Sequence, residues 1–554
     1  MKKGNEYVGK VSRIAFPNKG IVCAEGEKVV VKNTIPGQTV SFILSKNKSS
    51  GKEGRLLEIK ERSPMECFEG CCGVYEKCGG CIYQTISYED ELKIKHSQLV
   101  TLFNNFFKSE SVYEGISAEN MISPVIASPD VKGYRNKMEY SFGDEVKGGP
   151  LTLGMHVTGH FNDIVNTEGC NIANPDLEAI RSFSRDFFAS TGLPFYHRST
   201  GEGFLRHLLV RKGVKTGEIL VCIVTTNPEE HRQILEDYAA GLGGLSLKGR
   251  ISGVLNIVNN SVADAVKAED IHILYGKDFF FEEVLGLKFR ITPFSFFQTN
   301  TRGAEILYKT AADLLPVKGT VFDLYSGTGT IAQVLASRCD HVLGIEIVEE
   351  AVLSARENAA LNGIGNAGFI AGDVLKCLES METRPDVIVM DPPRDGASPK
   401  ALKKILSYGV EHILYISCKI TSFIRDLKEF TESGYRLQAV VPVDLFPRTA
   451  NVETVCLLSK LHEAKHHIEV KVDMDELDLT SAEAKATYKE IQDWVQEKYG
   501  FHVTNLNIAQ VKQIHGIIER ENYNKAKSAD SKQPGCPEEK VKAIEDAMRH
   551  FQMI

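Results

Sequence analysis

The chain has 554 residues with 65 basic and 73 acidic side chains, a formal charge of −8 that argues against overall electrostatic capture by nucleic acid or an anionic membrane. There is no long uncharged apolar run, and no apolar segment follows Met1-Lys-Lys-Gly-Asn5, so a soluble, cytoplasmic protein is expected rather than a spanning or exported one. At roughly 100 to 200 residues per domain, three or four units are expected.

Charge is unevenly spread. Residues 1–60 hold 12 Lys and Arg against 5 Asp and Glu, and short β-like runs at Lys28–Lys32 and Val40–Leu44 alternate with turn signals such as Pro36-Gly37. This is the pattern of a small barrel with a phosphate-binding surface, expected over residues 1–62. The next segment is rich in cysteine: Cys67, Cys71, Cys72, Cys78 and Cys81, of the 13 in the chain. In a reducing compartment such clustering points to metal before disulfide. Cys72, Cys78 and Cys81 follow C-x5-C-x2-C, and Gly79-Gly80 lets the backbone bend around whatever both thiolates bind. Zinc and an iron–sulfur cluster both accept four thiolates, and spacing does not separate them. Further on, Tyr134–Tyr140 and Leu205–Arg211 interleave basic with aromatic or apolar residues, as an RNA-facing sheet does, within a middle domain expected over residues 63–290.

Residues 291–460 alternate strand-like and helix-like segments, which implies a mainly parallel sheet covered on both faces. Gly319–Tyr325 reads as a strand entering Ser326-Gly-Thr-Gly329-Thr330, then a helix from Ile331 to Ser337, an arrangement suited to a nucleotide-like ligand. A second strand, His341–Ile345, ends on Glu346, where a ribose hydroxyl pair is gripped, and a third, Gly368–Ala371, leads to Asp373. Asp391-Pro-Pro-Arg394 closes one strand and Ser417-Cys418 the next, putting a carboxylate and a thiol on one rim. In the tail, residues 461–554, Thr480-Ser-Ala-Glu483 reads as a capping box opening a helix that stops at Gly500, with Tyr488, Ile491, Trp494 and Val495 on its packing face.

Five motifs in order, Ser295-Phe-Phe-Gln298-Thr-Asn300, Asp323-Leu-Tyr-Ser-Gly327, Asp391-Pro-Pro-Arg-Asp-Gly396, Ser417-Cys418 and Phe446-Pro-Arg-Thr-Ala-Asn-Val-Glu453, resemble the S-adenosylmethionine-dependent RNA uracil-C5 methyltransferases. Within that family the resemblance is to the 23S ribosomal RNA branch. It implies an α/β fold: a Rossmann-like methyltransferase domain, an N-terminal OB-like barrel (TRAM domain), a mixed α+β central domain and a small helical C-terminal extension. It further implies that Gln298, Tyr325, Glu346, Asp373 and Asp391 contact S-adenosylmethionine or the target base. Cys418 is then the nucleophile, Glu453 the base, and Cys72, Cys78, Cys81 and Cys170 hold a [4Fe–4S] cluster. The implied partner is structured RNA, foremost 23S ribosomal RNA, with no membrane and no DNA.

The chemistry accounts for these residue types. Addition of a thiolate to carbon 6 of uracil makes carbon 5 nucleophilic, and a carboxylate then removes the carbon-5 proton so that the thiol can leave. Two departures from the family pattern, Lys419-Ile420 in place of Asn-Pro and Asn451 in place of His, spare the thiol and the carboxylate and bear on placement of the base. Transfer RNA as substrate, and a non-catalytic metal-bearing RNA-binding protein, are the alternatives. Retention of both Cys418 and Glu453 favours catalysis.

Overall fold

The computed structural model describes residues 1–49, 51–160, 162–261, 268–315, 319–461, 488–515, 536–551 and 553. It forms two compact units, Met1–Glu463 and Ala464–Ile554.

In the large unit, β1 (Glu6–Ala15), β2 (Lys19–Ala24), β3 (Glu27–Lys32), β4 (Thr39–Lys48) and β5 (Gly51–Glu61) close into a barrel in the order β1-β2-β3-β5-β4. Alternation along the strands turns Val11, Val22, Val29, Val31, Val40, Phe42 and Leu44 inward and leaves the lysines outside. The cysteine segment follows with little regular structure. A helix, Tyr88–Phe107, then starts at an N-cap in which Ser87 accepts from the Asp90 amide.

The middle of the unit is a seven-stranded sheet in the order β12-β11-β10-β9-β6-β7-β8. Its strands are β6 (Lys137–Gly143), β7 (Thr152–His156), β8 (Ile164–Asn166), β9 (Leu205–Lys212), β10 (Glu218–Thr225), β11 (Arg250–Val258) and β12 (Asp270–Gly276). Helices Pro175–Thr191 and Arg232–Leu242 bury one face. The RNA-facing expectation for Leu205–Arg211 needs correction: every residue of β9 is buried. Its cations meet carbonyls instead of solvent. Arg206 Nη1 donates to the carbonyls of Asn259 and Ser261, and Arg211 Nη1 to those of Thr292, Pro293 and Ser295. A central strand tolerates such charges because each guanidinium is taken up by hydrogen bonds.

A hairpin, β13 (Phe280–Val284) and β14 (Leu287–Ile291), leads to the second seven-stranded sheet, ordered β17-β16-β15-β18-β19-β21-β20. Here β15 (Thr320–Leu324), β16 (His341–Glu346), β17 (Ala367–Ala371), β18 (Val387–Met390) and β19 (His412–Ser417) run parallel. β20 (Tyr435–Val443) and β21 (Glu453–Lys460) complete the sheet, with β21 antiparallel to both neighbours. Side-chain alternation splits these strands between two cores: Val321, Val389, Leu414 and Val455 on one side, Phe322, Ile388, Tyr415 and Leu458 on the other. Buried on both faces, the strands read as continuous apolar runs.

The small unit packs helices Tyr488–Tyr499, Asn505–Ile514 and Glu538–His550 around Ile491, Val495, Val511, Ile544 and Met548. The expected capping box at Thr480–Glu483 lies outside the described residues. The helix ends at Tyr499, and Gly500 takes φ 75°. Among the described residues no helix is long and apolar enough to cross a membrane.

Candidate active site

Everything at the rim of the second sheet follows from strand ends. Ser417 pairs with Thr454 across β19 and β21, so the next residues outward, Cys418 and Glu453, face each other from adjacent strands. β18 ends beside them and delivers Asp391. On the other flank β15 leads into Tyr325, held at φ 67°, a left-handed conformation that a non-glycine residue adopts only under local constraint. The turn that follows reaches Gly329 at φ 74°, where a Cβ would meet the Phe369 ring at 2.6 Å. Only glycine fits there, and the helix Thr330–Ala336 starts immediately after.

These elements open into one cleft of about 1240 Å³. It brings together six of the seven residues expected to contact cofactor or base or to do the chemistry: Gln298, Tyr325, Glu346, Asp391, Cys418 and Glu453. Asp373 is not among the lining residues. It caps the helix Val374–Ser380, accepting from the Lys376 amide at 3.2 Å, and its charge bears on Tyr325. Glu346 is fixed by the amides of Gly327 and Val348, both at 3.0 Å, which leaves further lone pairs facing the cleft. Beside it Ile347 and Val348 present an exposed apolar ledge.

The segment carrying Phe294, Phe296 and Gln298 is positioned by the middle of the chain. Besides the three bonds from Arg211, the Asn136 amide nitrogen donates to the Gln298 carbonyl and, at 2.7 Å, to Thr301 Oγ1. Sequence reasoning missed this role because a polar residue far away in the chain, just before β6, carries no local signal of what it holds. It also missed Arg394, Arg135, Phe294 and Phe296 as cleft residues. Arg394 was visible within Asp391-Pro-Pro-Arg394 but had no role until the strands were assembled.

Burial sets the electrostatics. It pushes Asp391 up to about 7, and Glu453, which also feels the Asp391 charge, up to about 8, with Arg394 opposing. Asp323, beneath the glycine-rich turn, is pushed well above the usual carboxylate range by burial, with the charges of Asp391 and Glu346 adding to it. Glu346, Glu350, Asp391 and Glu453 thus line one cleft with Asp323 beneath it, an arrangement that a cationic ligand relieves. Burial likewise pushes the Cys418 thiol up to about 11, reinforced by Glu453 and Asp391 and opposed by Arg394. Arg394 is the cation that opposes this at Cys418, and burial outweighs it.

Cys72, Cys78, Cys81 and Cys170 line a second, smaller cavity, with Tyr75, Gln84 and Arg135. Burial raises the thiols of Cys78 and Cys170 and takes Cys81 up to about 12. Among the described residues, no three His, Cys, Asp or Glu side chains form a group able to hold a metal ion. Gly80 and Arg135 line both this cavity and the cleft.

Comparison with known proteins decides what such a cleft belongs to. The family profile described as tRNA (uracil-5-)-methyltransferase matches residues 266–461, the hairpin and the second sheet. A protein of Caldanaerobacter subterraneus named as an uncharacterized RNA methyltransferase is 44% identical over 462 residues, 83% of this chain and 100% of its own. One of the same description from Clostridium tetani is 42% identical over 82% of this chain and 98% of its own. The chain belongs to the RNA uracil-5-methyltransferase family. Among solved structures, the tRNA (uracil-54, C5)-methyltransferase of Pyrococcus abyssi in complex with S-adenosyl-L-homocysteine superimposes with a TM-score of 0.64 at 25% identity, over 81% of this chain and 99% of its own.

The raised thiol has a measurable consequence. Alkylation of Cys418 by iodoacetamide, followed on its own peptide by mass spectrometry, should be slow at neutral pH and accelerate as pH climbs toward about 11. Replacing Arg394 by Met should move that rise to higher pH. A Cys418 that alkylates at full rate at neutral pH would contradict this electrostatic description.

Proposed function

We propose that this methyltransferase moves a methyl group from S-adenosylmethionine to carbon 5 of a specific uridine in 23S ribosomal RNA, with Cys418 as nucleophile and Glu453 as base. The observation that carries the reading is the pairing of Ser417 with Thr454, which sets thiol against carboxylate in the cleft that also holds Tyr325, Glu346 and Asp391. Bound S-adenosylmethionine supplies an electrophilic methyl group. The crowding of carboxylates supports a cationic ligand there, with Glu346 placed for ribose hydroxyls, Ile347 and Val348 for the flat base, and Gln298 for the target uracil.

On the enzyme's side, the Cys418 sulfur adds to carbon 6 of uracil, which makes carbon 5 nucleophilic. Once carbon 5 carries the methyl group, Glu453 takes the carbon-5 proton and the carbon–sulfur bond breaks, restoring the ring. Its raised pKa suits it to accept a proton near neutral pH. A uracil must leave its stack to reach this rim, so a loop or deformable element of RNA is the substrate. The basic barrel of residues 1–62, read as TRAM-like, and the domain at 63–290 would hold the flanking backbone, with catalysis at 291–460 and the helical extension at 461–554 accessory. Transfer RNA is the competing substrate, favoured by the description of the matched profile and of the Pyrococcus structure. The resemblance of the basic barrel and the cysteine run to the ribosomal RNA branch favours ribosomal RNA.

Replacing Cys418 by Ala should abolish 5-methyluridine formation and leave cofactor binding within about twofold. Replacing Glu453 by Gln should leave an RNA–protein adduct that survives denaturing electrophoresis, because addition proceeds and elimination does not. Normal turnover in either variant would refute the assigned roles, and mapping 5-methyluridine in RNA from cells lacking the protein separates the two substrates.

For the four-cysteine cavity we propose a [4Fe–4S] cluster with a structural role. Four half-buried cysteines around one cavity supply the donor set, and Arg135 Nε, buried without a hydrogen-bond partner among the described residues, supplies a donor beside it. Anaerobically prepared protein should contain about four irons and as many sulfides, and Cys81→Ser should lose both and melt at lower temperature. One zinc and no iron would overturn this assignment.

A further inference from the structure

A third cavity, about 350 Å³, opens at the far end of β6 from the cleft and takes no part in the chemistry above. It lies between the β6–β7 connection and the turn from Phe195 to Ser199. Its character is unlike that of the other two. Arg206 forms its buried wall, with its guanidinium 4.2 Å over the Tyr196 ring and bonded to the carbonyls of Asn259 and Ser261. His207, buried, meets Ser141 Oγ at 3.3 Å, and Lys147 and Arg198 stand exposed at the rim. The two carboxylates that line it have partners: Asp144 accepts from the Gly148 amide and Asp163 pairs with His160.

The cavity is also in line with the cleft. Arg135, at the cleft, lies two residues before β6, and Ser141, at the cavity, is six residues on, a reach of roughly 20 Å at strand spacing. Residues 137, 139 and 141 turn to the same face, opposite the buried row of Met138, Tyr140 and Phe142. β6 thus spans the distance from the cleft to a pocket that combines aromatic rings with cations, the pairing used to seat a stacked base and its phosphate.

We propose that this cavity is a second RNA subsite, taking one nucleotide several positions from the target uridine: the base against Phe195 and Tyr196, the phosphate at Lys147 and Arg198. The inference rests on the RNA substrate proposed above and adds where the strand is gripped. It explains how an acidic chain holds RNA away from its basic barrel, by local pockets instead of net charge.

The test is fluorescence anisotropy with 5′-labelled oligouridylates of 4 and 12 nucleotides, in the presence of S-adenosylhomocysteine. Lys147→Ala combined with Arg198→Ala should weaken binding of the 12-mer about tenfold and reduce its salt slope by about 0.7, the share of one phosphate on a single strand. The 4-mer, too short to span both sites, should bind as before. Tyr196→Ala should weaken the 12-mer in the same way, and Tyr196→Phe should restore it. Equal affinities of wild type and double variant for the 12-mer would overturn the subsite while leaving the RNA function standing. A wild-type protein that binds neither oligonucleotide would overturn both.

Discussion

Lys95, fully buried, lies 2.7 Å from Glu91 and 2.8 Å from Asp444, both equally buried. Removing one member of such a group strands an uncompensated charge in the interior, at a cost of about 3–5 kcal/mol. The helix Tyr88–Phe107, which carries Lys95 and Glu91, is therefore fixed against the segment that begins at Asp444 and ends at Glu453. Tyr88 adds a hydrogen bond to Asp444 at 2.9 Å. Arg448 closes the arrangement: its amide donates to Glu91, its guanidinium to the carbonyls of Tyr83 and Ile86, and its own carbonyl accepts from the amides of Ile82 and Tyr83. Arg448 sits at φ 69°, a strain of about 1–3 kcal/mol that persists because these contacts over-determine it.

From this knot the cleft and the cysteine cavity acquire their relation. Cys78 and Cys81 lie immediately before Ile82, and Glu453 lies five residues after Arg448, so the backbone that shapes the cysteine cavity is hydrogen-bonded to the backbone that presents Glu453. A cofactor held by the four sulfurs would act on the cleft through position, without any part in methyl transfer. The same logic governs the cleft's other wall, where Asn136 and Arg211, both buried, hold the segment with Phe294, Phe296 and Gln298.

Strand ends were readable from sequence because the second sheet is parallel and doubly covered. Its apolar runs are continuous, and each stops at a chemically conspicuous residue, Glu346, Asp391 or Cys418. Facing of Cys418 and Glu453 was not readable, since it depends on the antiparallel insertion of β21 between β19 and β20. Asp373 was expected at the ligand by its place after a strand; a helix begins there too, and one carboxylate oxygen accepts from that helix's Lys376 amide. Arg206 and Arg211 looked solvent-facing because alternation of charge and apolar residues ordinarily marks a half-exposed strand. Buried carbonyl acceptors on other segments reversed that, and no local pattern announces them.

The central claim is a covalent bond between Cys418 and carbon 6 of a uracil. RNA in which uridine is replaced by 5-fluorouridine tests it directly, because carbon 5 then carries no removable proton and the enzyme cannot release itself. Incubated with S-adenosylmethionine and such an RNA, the protein should accumulate as an adduct, and mass spectrometry should find the methylated fluoropyrimidine nucleotide on the peptide containing Cys418. An adduct on another cysteine, or full turnover with no adduct, would contradict the account.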